Sequence, residues 1–167
     1  DNPINWTAES PYLYTALVHG FNEVIPIRVG LRIFTVNEKG EILVNNQPVN
    51  LKGFNEHEMY IDAFQYKPLR EIIHELLILK KHNINSVKTS FYPNTPAFIK
   101  LCDEMGFLVM DEAFDEWEGA KNKWWQGHNV YPPKRYGYAE DFPQWHKFDL
   151  EAMVKRDRNH PCVIMWS

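Results

Sequence analysis

The sequence predicts an α/β chain: a parallel sheet with helical crossovers, entered through a few antiparallel strands. Three observations lead there. From Val49 onward the segments read strand, helix, strand, helix, strand, helix, strand, and that alternation demands right-handed crossovers, which lay the strands parallel. Phe107-Leu108-Val109-Met110 is a continuous apolar run, the mark of a strand covered on both faces. Residues 6–36 are instead short, β-rich and broken by Gly20, Pro26 and Gly30, as antiparallel strands joined by turns are.

Taken in order, residues 12–18 and 25–34 supply two or three antiparallel strands. These are too few to form a sandwich of their own, so residues 1–36 are expected to be the tail of a preceding domain and residues 37–167 the parallel unit. Residues 42–45 and 48–51 make a hairpin about Asn46-Gln47, a connection of the length hairpins prefer. Leu69, Ile72, Ile73, Leu76 and Leu79 fall on one helical face, with Pro68 at the entry and Lys80, Lys81 and His82 at the exit, where cations suit the helix dipole. Residues 86–90 read as a short strand. Pro96 opens a second helix with Phe98, Leu101, Cys102 and Met105 on one face and Gly106 as its stop. A third helix is expected over residues 145–158, with Leu150, Met153 and Val154 inward, leading to a last apolar strand over 163–166. Residues 117–141 show no periodicity and read as a long loop rich in aromatic residues, a length usually tied to function.

Composition excludes several classes. With 44% hydrophobic and 24% charged residues and a net charge of -4, the chain is neither disordered nor fibrous. It has no apolar run of the roughly 20 residues a membrane span needs, and no Lys/Arg block of the kind phosphate backbones require. Neither a membrane nor nucleic acid is an expected partner. Cys102 and Cys162 do not form a CxxC pair, and both read as packing residues. Aromatic residues reach 14%, with 6 Trp, more than one core of this length uses.

Two architectures fit the parallel unit, a doubly wound sheet or a barrel. A complete (β/α)8 TIM barrel takes about 250 residues; residues 49–167 hold three βα units and a fourth strand, which is the first half of one. In either case active groups gather at the C-terminal ends of strands. The first strand ends in Gly53-Phe54-Asn55-Glu56-His57-Glu58, the second in Lys88-Thr89-Ser90-Phe91-Tyr92-Pro93-Asn94, the third in Asp111-Glu112-Ala113-Phe114-Asp115-Glu116 and the fourth in Trp166-Ser167.

At these positions LKGFNEHE, NINSVKTSFYPN, LCDEMGFLVMDEAFDEW and MVKRDRNHPCVIMWS resemble the successive barrel signatures of glycoside hydrolase family 2, the family of β-galactosidases, β-glucuronidases and β-mannosidases. INWTAESPYLYTALV and VGLRIFTV are similar to the end of the immunoglobulin-like β-sandwich that precedes that barrel. The resemblance implies a retaining, exo-acting hydrolysis of terminal β-linked sugars, β-galactosidase first and β-glucuronidase next. In such a reaction one carboxylic acid protonates the glycosidic oxygen and a second carboxylate, about 5 Å away, forms the glycosyl-enzyme. In the family the acid/base follows a Trp-Ser pair within Gly-Asn-Glu, and the nucleophile lies on a later strand. Both are therefore expected beyond Ser167, and this chain by itself is expected to be inactive.

The resemblance also implies sugar contacts at Asn55 and His57, and among Asp111, Glu112, Asp115, Glu116 and Trp166. Trp117, Trp124 and Trp125 are expected to stack on sugar faces or, alternatively, to pack against the rest of the barrel or a neighbouring domain. Glu116 matches a magnesium ligand of one branch of the family, but Glu118 and Phe91 stand where that branch has imidazoles, so no metal or cofactor is expected. The expected partners are an oligosaccharide or β-glycoside substrate, the rest of the barrel and its flanking domains. Because a half-barrel leaves strand edges unpaired, a homo-oligomer is a further expectation. His19, His74, His82, His128 and His146 read as ordinary structural histidines.

Other readings of the same residues remain. The four acids of the third strand end also suit ion pairs with Lys88 and Arg156. Glu56, His57, Glu58 and Asp111 suit a hydrolytic zinc or manganese site. A non-catalytic carbohydrate-binding or interaction fragment would keep the aromatic loop without the chemistry.

Overall fold

A computed structural model describes residues 2–60, 66–120 and 137–167, together with the backbone of 123–125 and 128–130. The chain opens with β1 (Tyr14–Gly20) and β2 (Glu23–Val29), an antiparallel ribbon in which Tyr14 faces Val29 and Gly20 faces Glu23. Next, β3 (Phe34–Val36), β4 (Ile42–Val44) and β5 (Gln47–Pro48) form a three-stranded antiparallel sheet. The expected hairpin is present, but its turn lies one residue earlier than Asn46-Gln47. Asn45 and Asn46 carry φ of 51° and 64°, as both central residues of a type I′ turn must. Tertiary contacts select this register: the Asn45 side chain accepts the Ile33 amide at 2.9 Å and donates to the Trp6 carbonyl at 3.0 Å.

The parallel unit runs β6 (Gly53–Glu56), α1 (Leu69–Lys81), β7 (Ser86–Thr89), α2 (Pro96–Met105), β8 (Leu108–Asp111), then α3 (Phe142–Asp157) and the last strand (Val163–Trp166). Between β8 and α3 the expected loop contains a two-stranded hairpin, β9 (Lys123–Trp125) with β10 (His128–Val130), and a 3-10 turn at Tyr138–Glu140. The last strand is β11. The first parallel strand is thus Gly53–Glu56 rather than residues 48–51, because β5 is already paired antiparallel to β4. The four strands lie in the order β6-β7-β8-β11, all parallel. Every crossover moves one place in the same direction, with no reversal such as a doubly wound sheet has. This is the winding of a TIM barrel, and the sheet is a part of one. Among the described residues no further strand pairs with the outer edges of β6 and β11.

The helices cover one face of the sheet. Ile72 and Leu76 of α1 and Phe98, Ile99 and Cys102 of α2 bury themselves with Val87, Val109 and Val163. Thr95 caps α2 by accepting the Phe98 amide, Pro96 occupies its first turn, and Gly106 ends it at φ 78°, the left-handed stop that glycine permits. The third helix starts at Phe142, three residues before the expected Trp145, since Phe142 is held by stacking on His146 (4.6 Å) and edge-on contact with Phe114 (5.5 Å). Only Met153 and Asp157 of α3 are buried, so Leu150, expected inward, is 41% exposed. Trp6, fully buried, brings the N-terminal segment into the same core. Cys102 and Cys162 are buried and unbridged, and burial raises both thiol pKa values. No helix among the described residues is long and apolar enough to cross a membrane.

Gly106 and Gly40 share a left-handed φ, but a Cβ at Gly106 would come within 2.2 Å of the Ala8 carbonyl oxygen, whereas one at Gly40 would meet nothing within 4 Å. Gly40→Ala should therefore cost only the conformational penalty of about 1–2 kcal/mol. Gly106→Ala adds overpacking and should cost about 3 kcal/mol or more. Urea unfolding of both variants checks the ranking; equal losses would refute it.

Candidate active site

Side chains along a strand alternate between faces, and this sorts the residues of the first strand end. Asn55 is exposed and lines a small cavity with Lys88, Met110 and Met165 on the sheet face away from the helices. Glu56 points the other way and is only 2% exposed. Its partner is Lys67, which also binds Glu75 of α1 at 2.5 Å. One ammonium cannot neutralise two carboxylates, and Glu56 is the more deeply buried. Burial, opposed by Lys67 and reinforced by Glu75, lifts Glu56 to about 7. The next residue, His57, is exposed, and its ring meets the Phe91 ring edge-on at 4.9 Å.

Phe91 stands at the end of β7 with φ 76°, a conformation uncommon for a bulky residue. Its amide donates to Glu112 Oε1 at 3.2 Å. Glu112 in turn forms an ion pair with Lys88 of the neighbouring strand. Asn55, Lys88, Phe91, His57 and Glu112 thus gather at adjacent strand ends.

Asp111 is elsewhere. It has no exposed surface; its Oδ1 accepts the Thr89 hydroxyl at 3.2 Å, while Thr89 Oγ1 accepts the Glu112 amide at 2.7 Å. Asp111 Oδ2 is buried, and among the described residues no N–H group donates to it. Across from it is Asp157 of α3, also fully buried and gripped by the guanidinium of Arg156 at 2.6–2.9 Å. Two buried carboxyls served by one guanidinium need a shared proton. Burial, followed by the hydrogen bond and charge of Asp157, raises Asp111 to about 7. Of the two expected cations Lys88 does pair with an acid of the third strand end, Glu112, whereas Arg156 pairs with Asp157 of α3, which is not one of those four acids.

The remaining candidates separate. Asp115 is half-buried and Glu116 is 3% exposed, with the Ala139 amide 3.4 Å from Glu116 Oε2 and Gly137 packed so closely that a Cβ there would overlap the carboxylate. Trp117 and Glu118 are exposed. Trp166 is 42% exposed and in register with Asp111, while the Ser167 amide donates to the Asp111 carbonyl at 2.8 Å and its carbonyl accepts from Ala113 at 3.0 Å. Trp124 and Trp125 contribute strand backbone; their side chains, with Tyr131 and Tyr136 of the same aromatic stretch, lie outside the described residues.

The metal readings fit the arrangement poorly. Glu56 is committed to Lys67 and Asp111 to Thr89 and Asp157, and among the described residues no three His, Cys, Asp or Glu side chains come together as a ligand set. Sequence reasoning missed Lys67 and Asp157, and it placed Thr89 at the second strand end without giving it a role. Asp157 left a trace as an acid on the helix face shared by Met153 and Val154.

The Asp111 proton sets a direction for stability. The folded-state pKa lies above the unfolded value of 3.8, so the folded state holds a proton that the unfolded state has lost. Stability from this proton is fully present below about pH 4 and is lost as pH rises through about 7, declining by at most about 1.4 kcal/mol for each pH unit between those limits. Asp111→Asn, which can donate to Asp157 permanently, should flatten the decline and equal or exceed the parent at pH 8. Urea midpoints of both proteins from pH 4.5 to 8 test this; parallel profiles would mean that no proton is shared.

With this geometry in view, similarity to known proteins places the chain. Residues 34–167 match the family Glycosyl hydrolases family 2, TIM barrel domain. A β-galactosidase of Yersinia pestis bv. Antiqua (strain Angola) is 35% identical over 176 aligned residues, which take in 100% of this chain and 15% of that protein. The chain therefore spans only a small part of the curated relatives it matches. A glycosyl hydrolase family 2 member from Bacteroides cellulosilyticus superposes with a TM-score of 0.81 and 31% identity, covering 98% of this chain and 20% of that one. A β-glucuronidase from Ruminococcus gnavus superposes with 0.78 and 29%, covering 99% and 27%. The chain belongs to glycoside hydrolase family 2 and carries part of its TIM-barrel domain.

Proposed function

We propose that this chain supplies the sugar-positioning part of a retaining exo-β-glycosidase site, with a β-galactoside as the first candidate substrate and a β-glucuronide as the second. The observation that carries the reading is the exposed pair Asn55 and His57 at the end of β6, beside the Phe91, Lys88 and Glu112 cluster at the neighbouring strand ends. An amide and an imidazole at a barrel mouth can hydrogen-bond sugar hydroxyls and strengthen those bonds as positive charge develops on the ring. The names of the relatives, β-galactosidase and β-glucuronidase, support the order of candidates.

In this reading Asn55 and His57 meet the sugar directly, and Asp115, Glu116 and Trp166 are the next contacts. Glu112 and Asp111 act from behind, Glu112 by holding Lys88 and the Phe91 amide, and Asp111 by joining the third strand end to α3. Trp117, exposed beyond Glu116, is the stacking surface. The acid/base and the nucleophile come from residues outside this sequence, and no metal takes part. In the same reading residues 1–36 are the tail of a sandwich domain and residues 37–167 belong to the barrel, although β3 shares its sheet with β4 and β5 and Trp6 packs into the barrel core. Support for that division comes from the β1 and β2 ribbon, which leaves Leu17, Val18, Val24, Ile25 and Ile27 uncovered.

Nitrophenyl β-galactoside and nitrophenyl β-glucuronide should not be turned over by the 167-residue chain, with or without magnesium. Millimolar galactose should nevertheless perturb the His57 ring signals by NMR, and His57→Ala should weaken that sugar about tenfold, the loss of one or two hydrogen bonds. Turnover by this chain would show that its own carboxylates do the chemistry. Unmoved His57 signals with either sugar would remove the half-site.

A further inference from the structure

Beside the barrel mouth a cleft of about 450 Å3 opens between the loop after β7, the loop after β8 and α3. Its volume is within the range of ligand pockets, roughly 300–1,000 Å3. Phe91 and Tyr92 line it from the first loop and Phe114 from the second, and Phe114 is stacked on Tyr138 with centroids 4.8 Å apart and planes 14° from parallel. Three charged groups line it, Asp115, Asp149 and Arg156, and each is engaged by an interaction of its own. Asp149 accepts the Tyr138 hydroxyl at 2.6 Å, and Arg156 is spent on Asp157 and the Asn94 carbonyl. What an incoming group meets is therefore aromatic faces and edges, which favour a planar apolar ring over an ion or a polyol.

Phe91 joins the cleft to the mouth. Phe91 touches the His57 ring and also lines the cleft, and it does so from a left-handed backbone conformation at φ 76°. Such conformations persist where the surrounding structure imposes them, often at ligand sites.

We propose that this cleft binds a planar aromatic group, carried by the same ligand whose sugar meets His57, so that the preferred substrates are glycosides bearing an aromatic substituent. The aromatic site stands on the cleft itself; its union with a sugar in one ligand rests on the half-site reading above.

Saturation-transfer NMR on the 167-residue chain tests the two separately, with 2-naphthol, phenyl β-galactoside and methyl β-galactoside as probes. 2-Naphthol should bind in its own right. Binding should fall about tenfold in Ala152→Trp, which fills the cleft from the exposed side of α3, and likewise in Phe91→Gly, which removes one wall at a φ that glycine adopts freely. Circular dichroism confirms that each variant is folded, and either one suffices. Phenyl β-galactoside should bind about tenfold tighter than the methyl glycoside. Absence of 2-naphthol binding, or binding unchanged in both variants, overturns the aromatic site. Equal affinity for the two glycosides overturns the joint ligand. Binding of 2-naphthol and phenyl β-galactoside with no response to methyl β-galactoside, and with the His57 signals unmoved by either glycoside, upholds the cleft and sinks the sugar half-site instead.

Discussion

Asp103 is the residue on which the arrangement of the layers depends. It sits on the buried face of α2, 4% exposed, and its three acceptor oxygens all reach across the fold. The carbonyl takes the Trp6 indole N–H at 2.8 Å; Oδ1 takes the Cys162 amide at 3.0 Å; Oδ2 pairs with His160 Nδ1 at 2.5 Å. The N-terminal segment, α2 and the turn into β11 are thereby pinned at one residue. The hydrogen bond that His160 donates to Asp103, acting against burial, raises the His160 pKa, so the pair gains charge character where a lone buried carboxylate would be costly.

Fixing that turn fixes where β11 begins against β8, and the effect is read at the far end of the strands. A bulge between Val163 and Met165 shifts the register and brings Trp166 level with Asp111. Bulges re-aim side chains in this way, often beside functional sites. Backbone bonds between Asp111, Ala113 and Ser167 then join the tops of β8 and β11. Below them the Thr89, Asp111 and Asp157 network ties β7, β8 and α3 together. Adjacent acids in the sequence thus divide their labour: Asp111 faces inward to hold the frame, and Glu112 engages Lys88 and Phe91.

The same division operates at the first strand. Glu56 turns to Lys67 and Glu75, anchoring β6 to α1, and this leaves Asn55 and His57 on the open side. Phe91 completes the site by standing against His57. A barrel mouth becomes specific through such loop residues while strands and helices carry the stability.

Much of this could be read from the residues in line. Alternating strand and helix patterns were sufficient for the parallel unit, because covered strands are apolar throughout and amphipathic helices repeat at 3.6 residues. Pro96 and Gly106 marked the ends of α2, since helix starts and stops act locally. The motifs at four strand ends were sufficient for the family. Tertiary structure alone decided three things: the hairpin turn at Asn45-Asn46, the start of α3 at Phe142 and the inward turn of Asp111. In each case the deciding partner is distant in the chain: Trp6 for Asn45, Phe114 for Phe142, Thr89 and Asp157 for Asp111. Periodicity and capping report forces between near neighbours, whereas the choice among acids of one cluster depends on which of them the packing removes from water.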